Sequence, residues 1–194
     1  MLEQVRYDSQ GSANKEAEMA PTFESNRLSY RYLTDTDCNE NYLSWLNDER
    51  INQYLETRWS EQSVDSIKSF VSSVNEDKSS HLFGIFDKAT GDHLGNIKLG
   101  PINSIHQHGD ISYFIGNPNA WGKGFATEAI MRVTQWGFEE LLLETIQAGV
   151  YQGNVGSVKA LEKSGYELQG CIKKQLKGPK GREDHLWFSR SKEQ

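Results

Sequence analysis

The feature that most constrains this chain is a change of period near its middle, between Gly109 and Glu140. Asp110-Ile111-Ser112-Tyr113-Phe114-Ile115 alternates, which puts Ile111, Tyr113 and Ile115 on one face of a half-buried strand. Gly116-Asn117-Pro118-Asn119 signals a turn. Trp121-Gly122-Lys123-Gly124-Phe125-Ala126-Thr127-Glu128 then leads into a helix with Ala126, Ala129, Ile130, Val133 and Gly137 at helical spacing. Strand, glycine loop and helix start together aim unpaired N–H groups and the positive end of a helix dipole at one point. Such a point binds phosphate, and glycine lets the backbone approach without a side chain in the way. The plain alternative is a tight turn with no ligand.

Two nucleotide motifs fail at this loop. A P-loop needs Ser or Thr after Gly-Lys, and Gly124 follows Gly122-Lys123. A dinucleotide loop needs Gly-x-Gly-x-x-Gly, and Thr127 stands at its last position, although Glu144 lies at a suitable distance for a ribose contact. The segments before the loop read as consecutive hairpin strands, not as the start of a βαβ unit.

Bulk properties narrow the class. A length of 194 residues suits one domain with a sizeable core. Acidic residues outnumber basic ones, 27 to 21, the opposite of the balance expected for a nucleic-acid binder. The sequence shows no apolar run of membrane-spanning length and no signal-peptide pattern. Cys38 and Cys171 form neither a disulfide framework nor a metal-ligand spacing, so no metal is expected. Both read as small buried hydrophobes in a reducing, cytoplasmic setting.

In chain order, residues 1–22 are polar and aperiodic, a disordered tail ahead of a single domain over 23–194. Arg27 to Leu33 alternates as a strand. Thr34 or Asp35 is placed to cap the following helix, which Asn47-Asp48 ends, and Ile51 to Leu55 reads as a short second one. Ser63 to Val74 has the apolar stripe of a helix. Leu82–Phe86 and Leu94–Leu99 form a hairpin, and Ile102 to His108 is a loop into the central strand. Ile146, Ala148 and Val150 alternate as a fifth strand. Asn154 caps a helix that Gly165 ends in a left-handed conformation. Tyr166–Leu176 and Asp184–Ser189 close the chain as a hairpin around Gly178-Pro179-Lys180-Gly181. The pattern describes a mixed α/β (α+β) sheet, mostly antiparallel, with helices on both faces.

Gly124-Phe125-Ala126 resembles the second half of the coenzyme A signature of the GNAT N-acetyltransferases, Gln/Arg-x-x-Gly-x-Gly/Ala. Trp121 stands where that signature has Gln or Arg, a departure common in the branch of the ribosomal-protein N-terminal (alanine/serine) acetyltransferases. Asn154-Val155-Gly156-Ser157 through Glu162-Lys163-Ser164-Gly165-Tyr166 is similar to the family's other coenzyme-contacting helix. The resemblance spans roughly Arg27 to Arg190. It implies the GNAT fold, in which the fourth and fifth strands splay into a slot whose open edges pair with pantetheine amides. It further implies acetyl-CoA as co-substrate, direct attack by a primary amine in a ternary complex, and a monomer or homodimer. The acceptor is a small-molecule amine, an amino-sugar nucleotide or a protein N-terminus. The alternative is a non-catalytic acyl-CoA-binding or sensor domain.

Acetyl transfer needs a cofactor cradle, a base, an oxyanion donor and help for the leaving thiolate. The resemblance implies a pyrophosphate cradle of Gly122, Lys123, Gly124, Phe125, Ala126 and Thr127. It implies pantetheine contacts at Phe114, Ile115, Gly116 and Asn154, one of the three strand N–H groups being the oxyanion donor. Leu161 stands where many members carry a tyrosine acid, and Ser157 is the replacement that the ribosomal branch suggests; a helix-start hydroxyl is the plain alternative. Asp110 is the first choice for the base, since partial burial would raise a strand carboxylate toward a useful range. Glu56, His81, His106, His108 and Asp184 are further candidates. Tyr54, Glu56 and Trp59 are placed to receive a cationic amine, while Trp45 reads as an anchor between helix and sheet.

Overall fold

The computed structural model describes residues 22–192, so all but the last residue of the expected N-terminal tail lies outside the described residues. Eight strands form one sheet: β1 (Phe23–Glu24), β2 (Leu28–Tyr32), β3 (His81–Asp87), β4 (His93–Asn103), β5 (His108–Ile115), β6 (Thr145–Tyr151), β7 (Glu167–Gly178) and β8 (Gly181–Ser191). Their spatial order is β1-β2-β3-β4-β5-β6-β8-β7. Neighbours run antiparallel except β5 and β6, which run parallel. This is the mixed sheet that the sequence pattern requires, with one short strand added in front.

Helices cover both faces because the strands of the sheet alternate. On β3, Phe83 and Ile85 join the core beneath α4 (Phe125–Glu140) and α5 (Val155–Lys163). Leu82 and Phe86 point the other way, to the core beneath α1 (Glu40–Asn47) and α3 (Val64–Glu76), which also takes Tyr42, Trp45, Leu46, Ile67 and Val71. The short α2 (Glu49–Asn52) follows α1 directly. Trp45 is the anchor it was read as: a Cβ built on Gly116 would lie 2.0 Å from its indole, so only glycine lets the helix sit that close to the end of β5.

Four local expectations change. Asn39, not Thr34 or Asp35, caps α1, its side chain accepting from the N–H groups of Asn41 and Tyr42. Thr34 instead opens a single 3-10 turn, Asp35–Asp37. The second helix begins at Glu49, and its far end gives way to another 3-10 turn at Glu56–Trp59. Cys38 is buried, as expected, but Cys171 is exposed because β7 is the outer strand of the sheet.

Asp37 holds the β2–α1 connection. Arg31 grips its carboxylate with two bonds of 2.7 and 2.8 Å, while the Thr34 N–H and hydroxyl both donate at 2.8 Å. Burial alone would raise this carboxyl, yet the Arg31 and Thr34 donors bring it down to about 2. A depressed carboxyl stabilises the fold above its unfolded value near pH ~4 and loses that contribution as pH falls toward 2. Asp37→Asn is therefore expected to lower unfolding free energy at pH 7 by on the order of 2 kcal/mol. Urea titrations across pH 2–7 check this: the deficit should shrink steadily below about pH 4.

Candidate active site

Parallel strands β5 and β6 pair at only His108↔Thr145, Gly109↔Ile146 and Asp110↔Gln147, and then separate. Beyond Asp110, the edge of β5 that faces β6 lacks a strand partner. Gly116 donates to the Leu94 carbonyl at 2.8 Å, which fixes the alternation of the β4–β5 ladder. Phe114 is then committed to β4, and the N–H and C=O groups of Tyr113 and Ile115 turn toward β6. The indole N–H of Trp121 takes the Ile115 carbonyl at 2.8 Å. The N–H groups of Tyr113 and Ile115 thus remain the donors open to the gap. The Gly116 N–H, an expected oxyanion donor, is instead taken by the Leu94 carbonyl, and Trp45 covers its face.

The glycine loop meets the requirements of an anion cradle. Gly124 is the N-cap of α4 with φ 80°, and no side chain caps that end. Among the described residues, no N–H from Gly122 to Thr127 has a protein acceptor; the first such bond is Glu128 N–H to the Gly124 carbonyl, 3.0 Å. A Cβ on Gly122 would meet no atom within 4 Å, and on Gly124 only an Arg27 nitrogen at 3.6 Å, so the loop faces open space. These features fit a pyrophosphate. Glu128 fixes the loop from behind, accepting from Arg27 Nε, the Arg27 N–H and the Ser25 hydroxyl, each at 2.7 Å. Arg27 also donates to the Lys123 carbonyl at 2.9 Å. Lys123 borders an adjoining cleft that shares Gly122, Gly124, Thr127 and Lys163 with the cradle and adds Arg132 and Arg190.

Two cavities meet at the gap. One, of about 490 Å³, runs along Gly122, Gly124, Phe125, Ala126 and Thr127 to Ile115 and α5. The other, of about 670 Å³, lies on the opposite side between the sheet and α1, α3 and the Glu56 turn. Tyr54, Leu55, Tyr113, Phe114, Asn154 and Ser157 border both. Asn154 caps α5 by accepting from the Ser157 N–H at 3.3 Å. Capping therefore falls to Asn154, and Ser157 borders both cavities. Beneath it the Tyr113 hydroxyl donates to the Ser157 carbonyl at 3.1 Å, and burial pushes that phenol well above its ordinary range.

Several expected residues lie elsewhere. Asp110 sits in the closed, paired end of the gap, accepts from Gln147 Nε2 at 2.6 Å and borders neither cavity. Trp59 is half exposed and borders a separate surface pocket with Pro179. Asp184 pairs with Lys173 at 2.7 Å, and His81, His106 and His108 are all outside the two cavities. Glu56 does reach the second cavity, with both carboxylate oxygens engaged: Tyr151 OH donates at 2.5 Å and Trp59 Nε1 at 3.0 Å.

His185 was overlooked. It lies opposite Tyr151 on β8, borders the second cavity, and covers Gly149, where a Cβ would lie 2.4 Å from its Nε2. The Gln175 side-chain oxygen is 2.6 Å from His185 Nδ1. An amide oxygen only accepts, so Nδ1 carries the proton and Nε2 is left with a free lone pair. Burial lowers the imidazole's pKa, with Glu56 opposing it, so the neutral ring prevails at pH 7. The one hint in sequence was parity: His185 alternates against Leu186 and Phe188, which places it on the face of Tyr151 once the β6–β8 register is known.

An uncapped phosphate cradle running into a gap between parallel strands, with a second cavity behind it, defines an acyl-CoA-dependent transferase. The chain matches the acetyltransferase (GNAT) domain over residues 27–167 and belongs to that family. It is 32% identical over 160 residues to the uncharacterized N-acetyltransferase YoaA of Bacillus subtilis (strain 168), covering 81% of this chain and 89% of the relative. The fold is similar to spermidine N-acetyltransferase from Vibrio cholerae, solved with CoA and spermine, at TM-score 0.75 and 23% identity over 85% of this chain and 95% of that one. It is also similar to a proposed ribosomal-protein-serine acetyltransferase from Vibrio cholerae, at TM-score 0.71 and 16% identity over 88% and 97%. The chain is accordingly an enzyme, an acetyl-CoA-dependent N-acetyltransferase that acts on an amine. These likenesses establish the family and not its ribosomal branch.

Gly124→Val puts a β-branched side chain at a positive φ, which strains the turn that presents the open amides. Coenzyme A affinity measured by calorimetry should fall about tenfold or more, with α4 still formed by circular dichroism.

Proposed function

We propose that this enzyme transfers the acetyl group of acetyl-CoA directly to the N-terminal amine of a polypeptide, both substrates being bound at once. The observation that carries this is the meeting of two cavities at Tyr113, Phe114, Asn154 and Ser157, one serving each substrate. An amino-sugar nucleotide fits the second cavity poorly, because Lys98 is its one formally charged cation and a diphosphate carries at least two negative charges. The exposed thiol of Cys171 suits the reducing cytoplasm, where we place the enzyme.

Bound acetyl-CoA supplies an activated acetyl thioester. The Ile115 N–H donates to the acyl oxygen from the open edge of β5. His185 Nε2 accepts the proton that the amine loses, and Gln175 holds the ring in the tautomer that permits it. The hydroxyl of Ser157, which borders both cavities, donates to the departing sulfur. Asp110, bound to Gln147 at the closed end, acts in this reading as a clamp on the strands.

A thiol-release assay with acetyl-CoA and short peptides tests the reading; absence of turnover with any amine would overturn it. Ser157→Ala should lower kcat about tenfold to a hundredfold while leaving coenzyme A affinity unchanged. His185→Gln should lower kcat/KM about a hundredfold. Protonation of His185 removes the base, so the wild-type rate should fall on acidification, through a pKa below the ordinary imidazole value. That limb should vanish in His185→Gln and stay fixed when acceptor amines of different pKa are compared.

A further inference from the structure

The side of the second cavity away from the gap is a chamber roofed by α1 and α3. Tyr42 and Leu46 come from α1, Ile67 and Phe70 from α3, Leu82 from β3 and Phe114 from β5. We propose that this chamber holds a neutral, apolar side group on the acceptor, so that the enzyme acts on amines borne by leucine- or phenylalanine-like residues and not on polyamines. The proposal rests on the acetyltransferase reading above and adds the class of acceptor.

Charge is the first argument. The formally charged side chains bordering the cavity are Glu56 and Lys98. Glu56 is the one carboxylate on this lining, and its two oxygens already accept from Tyr151 and Trp59, so a polyamine finds no second carboxylate for a second ammonium group. Lys98 repels one outright. A polyamine carries two or three cations, and a cation moved out of water without a partner is strongly disfavoured. The chain as a whole has a formal charge of −6, so the single carboxylate here is a local feature and not a matter of composition.

Phe70 is the second argument. Ile67 and Val71 supply the buried stripe of α3, at 2% and 1% exposure, whereas Phe70 lies 47% exposed at the chamber's edge. Its ring completes the apolar wall only if something apolar enters. A cavity of about 670 Å³, shared with the gap, has room for a large apolar side chain beside the reacting amine. Removing such a side chain from a fitted acceptor changes specificity by about tenfold to a hundredfold.

The test compares phenylalaninamide, leucinamide, glycinamide and spermidine in the thiol-release assay at saturating acetyl-CoA. The expected result is kcat/KM at least about tenfold higher for the two apolar amides than for glycinamide, and higher again than for spermidine. In Phe70→Glu/Lys98→Gln the order should shift toward spermidine, through KM and not kcat, with coenzyme A affinity unchanged as the check on folding. Equal rates for glycinamide and leucinamide, or a preference for spermidine in the wild type, would overturn the proposal while leaving an active acetyltransferase. No thiol release with any of the four, nor with peptides, would overturn the underlying reading and the proposal with it.

Discussion

Three residue pairs hold β5 to β6, and the site depends on there being no more. Each strand is otherwise fully engaged on its far edge, β5 with β4 and β6 with β8 from Thr145↔Ser191 to Tyr151↔His185. Closing the gap would require breaking one of those ladders. Helix α5 packs under the opening, with Leu161 buried beneath it and the Tyr113 hydroxyl tied to the Ser157 carbonyl. Main-chain groups left open inside a protein are costly unless a ligand or water takes them. The open edge of β5 is therefore a built binding surface, and the glycine loop at its end supplies the charge complement for the same ligand.

What could be read in the sequence was chemistry settled within a few residues. The left-handed glycine at 165, the unpaired N–H groups at the start of α4 and the Asn154 cap each follow from local backbone preference, and each stands in the structure. What could not be read was which side chains the sheet brings together. Asp110 shares a strand face with Ser112 and Phe114, yet it falls within the paired segment because Gln147 lies opposite. Trp59 follows Glu56 by three residues, but one turn of 3-10 helix carries it to the outer surface. His185 sits 36 residues from Gly149 by numbering, and only the β6–β8 register and the irregular β7–β8 pairing put it over that glycine with Gln175 behind it. Parity along a strand is legible from one sequence; the partner strand's register is not.

Trp121 shows how a departure from a motif alters the site without abolishing it. A Gln or Arg at this position presents a flexible polar arm, whereas indole has one donor and a large rigid body. Here that donor is fixed on the Ile115 carbonyl, so the loop entering α4 is tied to the end of β5. The tie removes one acceptor from the open edge and leaves the neighbouring N–H of the same residue facing the gap. A ligand amide must then meet β5 mainly through donors on the protein, which suits carbonyl oxygens better than N–H groups at that level. An acyl oxygen is such a group, and the residue that breaks the signature thereby biases the strand end toward holding the acetyl carbonyl.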